Sequence, residues 1–108
     1  MKRFDESYTL LSDMRNDEYF PVFLVDKIEA LIKEVIALLE SGESELGKVQ
    51  AALDRMTIGI NDLQEEFEEN DSEIETAARD SIGETVEYVL KWFDIDIDIE
   101  TAIAERDW

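Results

Sequence analysis

The chain has 108 residues, of which 29 are Asp or Glu and 10 are Lys or Arg, giving a formal charge of -19 with no histidine and no cysteine. A chain this short builds one core, so a single domain over residues 1–108 is expected, with a 44% apolar fraction to fill it. Direct nucleic-acid binding is disfavoured because phosphate contacts need an excess of Lys and Arg, and the missing residue types exclude disulfides, zinc fingers, and thiolate or imidazole catalysis.

The opening Met1-Lys2-Arg3-Phe4-Asp5-Glu6 has two bases but no apolar run behind them, so no secretory signal is expected. The longest apolar run, Val35 to Leu39, is five residues and too short for a bilayer. A cytoplasmic protein without membrane contact is the expectation. Tyr8, Leu10, Leu11 and Met14 predict a short helix or docked arm over Ser7 to Met14. Acids at Asp17 and Glu18, then Pro21, then periodic apolar residues predict the start of a longer helix. Its stripe is Leu24, Ile28, Leu31, Val35 and Leu38, widened by Ile32, Ile36 and Leu39. Glu29 and Lys33 form an i,i+4 pair on its wet side, and Gly42 is the expected left-handed stop.

The next stretch, Leu46 to Phe67, dominates the pattern. Leu46, Val49, Leu53, Met56, Ile60, Leu63 and Phe67 follow a 3-4-3-4-3-4 spacing that places them on one seam of a helix. Ser44 is the expected cap, and the helix should end at Glu69 or Asn70. Gly59 costs about 1 kcal/mol against alanine inside a helix, so with Ala52 it is read as a place where a neighbouring helix comes close. Ser72 and Glu75 fit a capping box for a third long helix carrying Ile74, Ala78, Ile82, Val86, Val89 and Phe93, with Glu87 and Lys91 paired outside. Ile95-Asp96-Ile97-Asp98-Ile99 alternates like a strand but has no partner strand. A turn and a last short helix capped at Asp98 are expected instead. The fold class is therefore all-α: an antiparallel bundle of three longer helices with short helices at both ends.

The sharpest functional signal is Asn61 to Glu75, where eight carboxylates occur with no base. Glu65, Glu66, Glu68 and Glu69 fall at the end of a helix, where they oppose its dipole, while Glu73 and Glu75 fall where the next dipole favours them. The plain alternative is a solvated acidic surface. The functional reading is a docking face for a basic protein, made by Asp62, Glu65, Glu66, Glu69, Asp71, Glu73 and Glu75, as small toxin-neutralising immunity proteins use. A third reading is an all-helical magnesium-dependent nucleotide pyrophosphohydrolase. Glu65, Glu66 and Glu69 match its Glu-Glu-x-x-Glu group, and Glu84 and Glu87 resemble its second group with glutamate in place of aspartate. No basic cluster accompanies them to hold a triphosphate. No catalytic residue, metal ligand or resident cofactor is assigned.

Two aromatic groups, Tyr19, Phe20 and Phe23 early and Tyr88, Trp92, Phe93 and Trp108 late, read as core packing or as anchors for a partner, a second copy included. Trp108 is expected to dock, with Arg106 and Asp107 as a polar clamp. Asp17 to Lys27, Asn61 to Arg79 and the closing Ala104-Glu105-Arg106-Asp107-Trp108 together resemble a bacterial family of short, acidic, uncharacterised proteins, a domain of unknown function. That resemblance implies a bacterial source and an autonomous domain, and it brings no activity.

Overall fold

Pro21, with its ring-fixed φ of -59°, sets the direction of the first long helix in the computed structural model, which describes residues 2–108. The Pro21 carbonyl accepts from the amides of Leu24 and Val25 at 3.1 Å each. Five helices follow in order: α1 Ser12–Arg15, α2 Val22–Glu40, α3 Leu46–Glu69, α4 Thr76–Trp92 and α5 Ile99–Ala102. No strand occurs among the described residues, and the Ile95 to Ile99 alternation is a turn leading into α5.

The α3 seam is buried at Val49, Leu53, Met56, Ile60 and Phe67, half-buried at Leu63 and exposed at Leu46, the first residue of the helix. Removing side chains of this size from water contributes roughly 1.5–3 kcal/mol each. On α2 the buried face is Leu24, Val25, Ile28, Ile32, Val35, Ile36 and Leu39. Leu31 and Leu38, expected at the centre of the stripe, lie at its edge and are half-buried. The α2 and α3 helices form the largest helix pairing, while α4 is braced by α1 and α5. Gly59 stands where the expected close approach occurs: a Cβ there would lie 2.9 Å from Leu31 Cδ2.

Helix ends depart most from the sequence reading. Gly42 does stop α2 in the left-handed region, at φ 97°. Ser44 caps nothing: α3 begins after Glu45, whose amide is taken by the Glu43 carboxylate at 3.1 Å. Ser72 does not cap α4 either, because its backbone closes α3. The Ser72 amide donates to Phe67 O at 2.9 Å and the Asp71 amide to Glu68 O at 3.1 Å, with Asp71 left-handed at φ 57°. That six-to-one and five-to-two pair is a Schellman ending, so α4 starts later, after Glu75. Its own end repeats the device: Ile95 donates to Leu90 O at 2.9 Å and Asp94 to Lys91 O at 3.2 Å, with Asp94 at φ 58°. Asp98 precedes α5 as expected but makes no side-chain cap bond.

The chain before α1 is strapped across α4. Tyr8 stacks on Tyr88 with centroids 3.9 Å apart and planes at 5°, and Phe4 meets Tyr88, Trp92 and Phe93. The Tyr88 hydroxyl donates to Asp5 Oδ2 at 2.6 Å and the Trp92 indole to Arg3 O at 2.8 Å. At the other terminus Trp108 is buried. Arg106 clamps it, donating to Trp108 O at 2.7 Å and lying over its ring, but Asp107 is not part of that clamp. Asp107 is held instead by α3: its amide donates to Asn61 Oδ1 at 3.1 Å, and its carboxylate accepts from Gln64.

Candidate functional site: the acidic end

The last turns of α3 and the connection to α4 carry the acidic run, and the helical repeat sorts its members. Ile58, Asp62, Glu65 and Glu69 recur at 4-3-4 spacing, a row opposite the buried Ile60 and Phe67, and all four are exposed. Glu66 lies one row nearer α2, where both of its oxygens accept from Lys27 Nζ at 2.8 Å. Among the described residues it is the one acid of the candidate set that has a base as partner. Among the described residues none of Asp62, Glu65, Glu69, Asp71, Glu73 and Glu75 takes part in an ion pair. The pairing to Lys27 was out of reach of sequence reasoning, since 39 residues separate the partners.

A second grouping forms at the corner itself. Glu73, though exposed, has its carboxyl raised, first by hydrogen bonding with the Glu75 carboxyl, then by the charge of Glu75, slight desolvation and the charge of Glu68. Tyr19, from the loop before α2, reaches the same corner. Its hydroxyl is pushed up first by desolvation and then by the charges of Glu75 and Glu73. Ser72 lies beneath with its hydroxyl buried and without a hydrogen-bond partner. Tyr19, Val22 and Phe23, 45%, 63% and 47% exposed, are the large apolar groups that α2 and its approach leave in water; of the early aromatic group only Phe20 is buried. The structure thus brings Glu68, Glu73 and Glu75 together at the corner and spreads Asp62, Glu65 and Glu69 along the outer row. Glu66 turns aside.

The glutamates of the hydrolase pattern do not assemble. Glu84 and Glu87 line a cleft of about 320 Å³ between α4 and α5, with Arg79, Asp80, Glu100 and Arg106 around it. Glu65, Glu66 and Glu69 are not among its walls. Among the described residues no three carboxylates come close enough to share a cation. No helix among the described residues is long and apolar enough to cross a membrane.

Among the described residues, five helices, three of them long, and an acidic end in which Lys27 pairs with Glu66 alone make this an all-helical acidic chain. The chain belongs to a family of unknown function, DUF5713, whose model matches residues 4–108. No curated protein and no solved structure matches it.

Proposed function

We propose that this chain is a non-enzymatic binding module that offers its acidic end to a basic protein surface, in the manner of small toxin-neutralising immunity proteins. The observation that carries the proposal is the set of six exposed carboxylates, Asp62, Glu65, Glu69, Asp71, Glu73 and Glu75, that have no cationic partner among the described residues. Their mutual repulsion is a standing cost that a basic partner removes on binding, and their field accelerates encounter with such a partner. An antiparallel arrangement of the long helices belongs to this reading. It is supported by Lys27, early in α2, meeting Glu66, late in α3, and it sets the acids of α3 beside the start of α2.

The test compares immobilised wild type with a Glu65→Lys, Glu66→Lys, Glu69→Lys variant on lysate of the source cells. The expected result is a basic protein retained by wild type and lost from the variant, with an association rate that falls as salt rises. An identical set of retained proteins on both surfaces overturns the proposal.

A further inference from the structure

Beside the acidic row runs an apolar groove between α2 and α3. Two depressions of about 450 and 520 Å³ share Leu31 and Glu34 and so form one trough. Its floor is Ala30, Leu31 and Leu38 of α2 with Ala52, Gly59 and Leu63 of α3. Gly59 keeps the floor low, because any side chain there would enter the space that Leu31 occupies. The α2 wall extends from Lys27 to Ser41, a rise of about 21 Å at 1.5 Å per residue, enough for about four helical turns of an occupant. Phe23, one turn before Lys27, prolongs the apolar strip, and Ile58, 48% exposed, borders it from the α3 side.

Charge selects the occupant. Ile58, Asp62, Glu65 and Glu69 form the row next to the groove stripe of Ala52, Gly59, Leu63 and Glu66, and the charged groups in the trough itself are Glu34, Lys27, which Glu66 neutralises, and Arg55 at the far end. A second copy of the chain would itself carry a net charge of -19 and be repelled from this edge, and an anionic membrane or a nucleic acid would meet the same repulsion. Glu34, Asp62, Glu65 and Glu69 outnumber Arg55, the one base along the strip without an ion pair among the described residues, so the matching pattern is an apolar stripe flanked mainly by lysines and arginines.

We infer that the α2–α3 groove is a docking site for a basic amphipathic helix of about four turns, its apolar stripe on Leu31, Leu38, Gly59 and Leu63 and its cations against Glu34, Asp62, Glu65 and Glu69. This rests on the proposed function and adds the shape of the partner to it.

The probe is a synthetic peptide of about 14 residues containing only leucine and lysine, with the leucines at helical i, i+3, i+4, i+7 spacing. The control is a peptide of the same composition in scrambled order. Near 0.5 M salt, where screening acts within roughly 4–5 Å, the ordered peptide should bind wild type at least about tenfold tighter than the scrambled one. The pair Ala30→Arg, Ala37→Arg, on exposed positions of α2, should abolish that advantage. The pair Ala77→Arg, Ala104→Arg, which adds the same charge elsewhere on the surface, should retain it. Equal affinity of the two peptides for wild type overturns the groove and leaves the acidic reading standing. Binding of neither peptide at low salt overturns both. A wild-type dimer in sedimentation that the groove pair dissociates also overturns the inference, since the trough would then be filled by a second copy.

Discussion

The Leu11 amide donates to Thr85 Oγ1 at 3.1 Å across 74 residues, and Thr85 passes the bond on to Ser81 O at 2.8 Å. Leu11 is left-handed, φ 57°, and fully buried at the threshold of α1. Its amide has no water to turn to, so the α4 hydroxyl both satisfies it and fixes where the arm docks. Thr85→Val keeps the shape and removes the acceptor. It should destabilise the fold by about 1–3 kcal/mol in urea denaturation, whereas Thr85→Ser should recover much of that loss. A valine variant as stable as wild type would show that the arm does not depend on this bond.

What the sequence made legible was the product of local repetition. The seam from Val49 to Phe67 and the pairs Glu29–Lys33 and Glu87–Lys91, at 3.3 and 3.5 Å, follow from the helical repeat alone. The stop of α2 at Gly42 and the end of α3 at Glu69 were legible, but the left-handed turns at Leu11, Asp71 and Asp94 were not, because the usual signal for such a turn is glycine. Ser72 carried a cap-like spacing that lost to its backbone's role in ending α3. At the acidic end the sequence supplied the density of carboxylates, but the diversion of Glu66 to Lys27 and the arrival of Tyr19 depend on tertiary packing.

Asp94 shows what such an ending costs. A non-glycine residue at positive φ loses stability relative to glycine, partly offset by the greater freedom glycine has in the unfolded chain. Asp94→Gly should therefore stabilise by about 0.5–1 kcal/mol, read as a higher denaturation midpoint at unchanged slope. A lower midpoint would mean that the Asp94 side chain contributes more at this turn than its backbone conformation costs.

Gly59 and Leu31 should be coupled. Alanine at 59 gains about 1 kcal/mol of helix propensity, but its Cβ forces the Leu31 end group off its well at about 0.5–1.5 kcal/mol. Gly59→Ala alone should be close to neutral. In a Leu31→Ala background the same change should stabilise by close to the full propensity difference, and a double-mutant cycle measures the discrepancy. Additive effects would show that Leu31 yields freely and that glycine is not required for the close approach.

Glu73 and Asp5 give opposite pH signatures. Glu73, raised by its hydrogen bond to Glu75 and by neighbouring charge, binds its proton more readily folded than unfolded. Its contribution to stability is present below the ordinary carboxylate pKa of 4.5 and is lost as pH rises through the higher folded value. Asp5 is lowered by the Ser7 hydroxyl first and by Tyr88 next, so its contribution holds above 3.8 and disappears only as pH falls through its lower folded value. Mild acidification from neutrality should therefore raise Tm before further acid reduces it. Glu73→Gln should raise Tm at pH 7, where the wild-type carboxylate is repelled, and the difference should vanish once Glu73 is protonated. Salt should narrow the same gap at pH 7 by screening Glu68 and Glu75 from Glu73. A glutamine variant with unchanged Tm at pH 7 and low salt would mean that the corner carboxylates do not strain the fold, which would remove the energetic motive for recruiting a basic partner there.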